Sequence, residues 1–93
     1  MNKESKLLDL NKEWVIENNK LIRHFKFKDF QETFMFMEKI AVLAEELRHH
    51  PQWTNTYNKL EIMLWTHEIN GLSNLDFEMA KEINQIFDNS KKT

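Results

Sequence analysis

At 93 residues the chain has room for one hydrophobic core and no separate cofactor domain, so residues 1–93 are read as a single domain. Its 41% apolar content, with seven Phe, three Trp and five Met, suffices for a core, and the absence of Cys excludes disulfides and thiolate chemistry. A net charge of −2 with both signs interspersed excludes the basic face that nucleic-acid binding requires, and the polar start Met1-Asn2-Lys3-Glu4-Ser5-Lys6 reads as neither signal peptide nor membrane span. The expectation is a cytoplasmic protein with a small molecule or another protein as partner.

Leu7, Leu8 and Leu10 support a short helix or turn over residues 5–11 that caps the domain. Residues 14–17 and 21–27 then read as extended, with Leu21, Phe25 and Phe27 on one side, Ile22, His24 and Lys26 on the other, and Asn18-Asn19-Lys20 as the turn between them. Asp29 followed by Glu32 makes a capping box, opening a long helix that runs to about Arg48, before Pro51 forces extended geometry on His50. Phe30, Phe34, Met37, Ala41 and Ala44 form one stripe of that helix and Phe36, Ile40, Leu43 and Leu47 a second, together wider than one sheet contact needs. Residues 53–57 and 59–66 form a second extended pair around Asn58, with Leu60, Ile62, Leu64 and Thr66 on one face and Glu61, Met63, Trp65 and His67 on the more open one.

Gly71-Leu72 breaks the chain, Ser73 and Asp76 supply another capping box, and Phe77, Ala80, Ile83, Ile86 and Phe87 form an amphipathic closing helix. The predicted fold class is therefore α+β, a four-stranded antiparallel sheet with three helices packed on one face, in the order α-β-β-α-β-β-α. The tail from Asn89 to Thr93 has nothing to bury.

The chemistry concentrates in His49, His50 and His67, because imidazole both donates and accepts a proton near neutral pH. His49 falls at a helix C-terminus with Glu45 one turn back on the same face, and Pro51 turns His50 in a different direction. If the strand ending at His67 lies beside that helix end, the imidazoles line one cleft, with Trp53, Tyr57 and Trp65 as flat walls suited to a planar heterocycle. Plainer roles compete: His49 as a helix cap, Pro51 as a stop, Trp53 and Tyr57 as sheet core, His24 on a solvated face. Glu45 and the histidines have atom types that suit zinc, but adjacent histidines followed by Pro rarely converge on one ion and no Cys or two-histidine helical spacing accompanies them. Neither Ser73 nor Ser90 sits in a nucleophile elbow.

The string Glu45-x-x-x-His49-His50-Pro51-x-Trp53-x-x-x-Tyr57, followed by Leu64-x-Thr66-His67 and Gly71-Leu72-Ser73-x-x-Asp76, resembles the pterin-4a-carbinolamine dehydratase family. Arg23-x-Phe25-x-Phe27-x-Asp29-Phe30, Ala41, Ala44-Glu45 and Asn58-Lys59 extend the likeness over most of residues 14–86. The resemblance implies an enzyme that dehydrates 4a-hydroxytetrahydropterin to quinonoid dihydropterin, regenerating the pterin of aromatic amino acid hydroxylases with no metal and no organic cofactor. It also implies His49, His50 and His67 as active-site histidines with Glu45 orienting His49, and pterin contacts from Pro51, Trp53, Thr66, Glu68 and Ile69.

Two residues depart from the family's pattern: Arg48 stands where many relatives carry an acidic residue, and Trp65 where some carry a small one, changes that bear on cleft charge and width. The wide apolar arc of the long helix implies a homodimer or homotetramer. The competing reading is an interaction module of the coactivator kind found among animal relatives, and a third is a pterin dehydratase serving another pathway.

Overall fold

The computed structural model describes residues 6, 7, 10 and 12–90. Strands β1 (Val15–Glu17) and β2 (Lys20–Lys26) lead into helix α1 (Phe30–Leu47); strands β3 (Gln52–Thr56) and β4 (Lys59–Leu64), a 3₁₀ turn (His67–Ile69) and helix α2 (Asn74–Ser90) follow. The strands form one antiparallel sheet in the order β1-β2-β4-β3. The expected α+β class and four-stranded sheet are present, but the described residues hold two α-helices, not three. Most of the helix expected over residues 5–11 lies outside the described residues; within it Lys6 and Leu7 are helical and Leu10 is buried.

Both hairpins have two-residue loops. Glu17 pairs with Lys20, and Asn18 and Asn19 between them take φ of 51° and 62°, the double left-handed geometry that matches the twist of flanking strands and that asparagine tolerates. Thr56 pairs with Lys59, so the second loop is Tyr57-Asn58, tied by hydrogen bonds between Asn58 and Phe27 to the residue that follows β2.

Leu21, Arg23 and Phe25 of β2 and Leu60, Ile62 and Leu64 of β4 point to one face, where both helices cover them. Phe25 is the hinge of that packing, its ring centroid 5.1 Å from Phe36 of α1 and 5.1 Å from Phe87 of α2. The alternation read from the sequence thus selects the covered face correctly. Arg23 is the exception to its chemistry, a buried cation beneath the helices. Its Nη1 donates to Asn84 Oδ1 at 2.6 Å, the oxygen that also accepts Trp14 Nε1 at 2.6 Å, and its guanidinium lies 4.4 Å from the Phe25 ring. Burial lowers its pKa, a tendency opposed by Glu13 and Asp88.

Of the two stripes on α1, Phe36, Ile40 and Leu43 are the buried one, while Phe30 and Phe34 stay about half exposed at 47% and 48%. Among the described residues no helix is long and apolar enough to cross a membrane.

Candidate active site

The site is built where α1 ends. Arg48 takes φ 52°, its N–H donates to Glu45 O at 3.3 Å, and the next N–H, from His49, donates to Ala44 O at 3.0 Å. Those two bonds close a Schellman turn, which satisfies the last helical carbonyls and reverses the chain. The reversal separates adjacent imidazoles: His49 turns inward against α2, and His50 turns outward over the last turn of α1.

His49 Nε2 lies 2.5 Å from Asp76 Oδ1, with the histidine side chain 11% exposed and the aspartate 0%. The other carboxylate oxygen of Asp76 accepts Thr66 Oγ1 at 2.8 Å and the Ser73 backbone N–H at 2.9 Å. Ser73 precedes α2, so Asp76 stands in the first helical turn, where backbone N–H groups and the helix dipole favour an anion. The expected capping box is therefore half formed, because Ser73 spends its hydroxyl on Thr66 Oγ1 at 2.7 Å. An ionised carboxylate only accepts, so opposite Asp76 a neutral His49 carries its proton on Nε2 and its acceptor lone pair on Nδ1.

His50 Nε2 lies 2.6 Å from Glu45 Oε2, on a surface where the two side chains are 64% and 78% exposed. The sequence placed Glu45 against His49; the structure corrects this, since the Schellman turn swings His49 off the helix face and brings His50 back over Glu45.

His67 opens the 3₁₀ turn, just past the strand it was expected to finish, because β4 ends at Leu64. Thr66 instead makes an isolated bridge with Gly71, Thr66 N–H to Gly71 O being 2.7 Å, which closes a six-residue loop with Glu68 and Ile69 exposed at its tip. Asn70, not Gly71, takes the left-handed conformation there. Thr66 joins this loop to the Asp76 carboxylate, so His67 follows directly on a residue anchored to the partner of His49. The His67 ring itself stacks on Trp65, centroids 4.5 Å apart and planes within 6°.

The aromatic walls are fewer than expected. Tyr57 sits in the β3–β4 loop, roughly 17 Å along the strand from Gln52 at about 3.3 Å per residue, too far from Pro51 to wall the site. Trp65 already carries the His67 ring and has the Lys20 ammonium 4.4 Å from its centroid. Trp53 remains, half-buried against the core two residues beyond Pro51. Asp76 is the residue that sequence reasoning missed as part of the site. Its spacing from Ser73 signalled only a helix cap, and nothing local in the sequence announced a buried carboxylate against His49. Among the described residues no three His, Asp or Glu side chains are grouped to hold a metal ion.

A profile of the family described as Pterin 4 alpha carbinolamine dehydratase matches residues 2–86. The chain belongs to the pterin-4a-carbinolamine dehydratase family. A protein of Prochlorococcus marinus (strain MIT 9515) with a provisional pterin-4-alpha-carbinolamine dehydratase name is 51% identical over 75 residues, 81% of this chain and 78% of its own length. A similarly named protein of Synechococcus sp. (strain WH7803) is 47% identical over 73 residues, 78% of each chain. The crystal structure of a transcriptional coactivator/pterin dehydratase from Brucella melitensis superposes with a TM-score of 0.86 at 38% identity, covering 92% of this chain and 96% of that one. A pterin dehydratase-like protein identified as a RuBisCO assembly factor in the alpha-carboxysome shares the fold at 20% identity and a TM-score of 0.65, over 78% and 84% of the two chains.

Proposed function

We propose that this member of the family dehydrates a 4a-hydroxytetrahydropterin to quinonoid dihydropterin by histidine acid/base catalysis, recycling the pterin of aromatic amino acid hydroxylases. In that reaction the C4a–O bond breaks, a ring nitrogen lone pair becomes the new C=N bond, the departing oxygen takes up a proton to leave as water, and one N–H proton is lost. One protonated and one neutral imidazole meet both needs. His49, His50 and His67 supply them, with Asp76 setting the His49 tautomer and Glu45 holding His50. Thr66 acts through Asp76, because its hydroxyl is already committed there. Pterin contacts then fall to Pro51, Trp53, Ile69 and the exposed Glu68, whose carboxylate suits the N–H edge of an aminopyrimidine.

The observation that carries this reading is the buried His49–Asp76 pair, tied through Thr66 to the loop that bears His67. General acid/base help of this kind contributes about 10²–10⁴-fold. The test is a stopped-flow assay of chemically generated carbinolamine: the protein should accelerate dehydration, and His50→Ala should remove most of the turnover with the fold intact. Decay no faster than without protein removes the enzymatic reading.

The exposed apolar residues of α1 support a second element of the proposal. The Phe30 and Phe34 rings lie 5.8 Å apart and tilted by 30°, and Met35 and Val42 are 52% and 61% exposed, more apolar helix surface than a monomer usually leaves wet. A second copy of this chain is the proposed cover, giving a homodimer or homotetramer; capture of a different protein by the same stripe is the coactivator-like alternative.

A further inference from the structure

Among the described residues His67 differs from the other two site histidines in having no carboxylate on its ring: His49 has Asp76 and His50 has Glu45, while His67 has the indole of Trp65. The local chain geometry explains the stack. Leu21 pairs with Leu64, so Lys20 and Trp65 are the next residues along the two strands, and Trp65 is partly buried against the core. Thr66 is extended at φ −103°, ψ 111°, so His67 emerges on the same side as Trp65, two residues on. The result is a parallel pair of rings at 4.5 Å and 6°, with the Lys20 ammonium 4.4 Å from the indole centroid.

We propose that Trp65 is the positioning residue for His67 in the dehydration, with Lys20 holding the indole. This rests on the dehydratase reading above. A carboxylate partner occupies one imidazole nitrogen; a stacked ring restrains the imidazole plane while leaving both nitrogens at the ring edge open to substrate. For a group at the start of the exposed stretch from His67 to Asn70, that restraint is what keeps the ring from sampling unproductive orientations. The Lys20 ammonium, attracted to the π face, limits the rotation of the indole in turn.

Removing the stack should lower the population of the competent rotamer, with an aromatic pair contributing about 2–13-fold. Trp65→Ala is expected to lower kcat about 3–10-fold with KM changed less than about twofold, Trp65→Phe to restore most of kcat, and Lys20→Ala to fall between them. The His67 ring protons should show an upfield ring-current shift in the NMR spectrum of the wild type and Trp65→Phe, lost in Trp65→Ala. The spectrum reads the stack without turnover, and Trp65→Phe covers the case in which the alanine variant folds poorly. A wild type active on carbinolamine with Trp65→Ala at full kcat overturns the proposal, as does an unshifted His67 spectrum in the wild type. A wild type that does not accelerate dehydration defeats the underlying dehydratase reading instead, and is recognised by that assay alone.

Discussion

Asp76→Asn separates the charge of the buried carboxylate from its shape. The side chain is fully buried, and its two oxygens meet His49 Nε2, Thr66 Oγ1 and the Ser73 N–H. An asparagine whose oxygen keeps the Thr66 and Ser73 donors must turn its NH₂ towards His49. Nε2 then accepts, and the imidazole proton moves to Nδ1, the wrong tautomer for a base. The equivalent inversion in a serine protease triad lowers kcat about 10⁴-fold, so a loss of about 10²–10⁴-fold is expected here, or about 3–5 kcal/mol of barrier at 1.36 kcal/mol per decade. One charge-assisted hydrogen bond becomes a neutral one, so unfolding free energy should fall by about 1–3 kcal/mol. Asp76→Ala strands three polar partners and should cost about 3–5 kcal/mol. Stopped-flow dehydration and urea unfolding on the same samples measure both quantities. If Asp76→Asn folds and retains kcat within about threefold, Asp76 does not set the tautomer.

Asn84→Leu takes the shared acceptor from Trp14 Nε1 and Arg23 Nη1 and should lose about 2–4 kcal/mol in urea unfolding. Arg23→Met, which removes a desolvated cation whose Nε lacks a hydrogen-bond partner among the described residues, should stay within about 1 kcal/mol of the wild type; a methionine variant weaker than the leucine one contradicts the assignment. Arg48→Gly relieves a left-handed non-glycine residue at the Schellman position and should gain about 0.5–1 kcal/mol, a rise of roughly 2–8 °C in Tm by calorimetry. A fall in Tm would mean that the Arg48 side chain contributes more than its backbone costs. Phe34→Glu places a charge in the exposed stripe of α1 and should convert the assembly to monomers by light scattering, whereas a wild type monomeric at micromolar concentration removes the self-association proposal.

Elements and faces were legible wherever a local period carried them. Alternation over Leu60, Ile62 and Leu64 assigned the covered face of β4, Asp29 with Glu32 marked the start of α1, where Asp29 Oδ1 accepts the Glu32 N–H at 2.9 Å, and Pro51 marked its end. Arg23 on the covered face was not foreseen as a buried cation, because its acceptor, Asn84, lies 61 residues away. Partners at the site were less legible for the same reason. The pairing of Glu45 with His50 depends on a left-handed Arg48, a conformation that a sequence without glycine at that position does not advertise. Tyr57, an attractive wall on paper, is carried off along a strand whose direction only the sheet reveals.

By itself the amino-acid sequence determined the α+β class, the four-stranded antiparallel sheet and the family, because hydrophobic period, caps and motif spacing are written in near neighbours along the chain. Tertiary structure alone decided which carboxylate each imidazole meets and that His67 rests on Trp65. It brings Asp76, 27 residues from His49, within 2.5 Å, and burial then excludes the water that would otherwise separate the two groups.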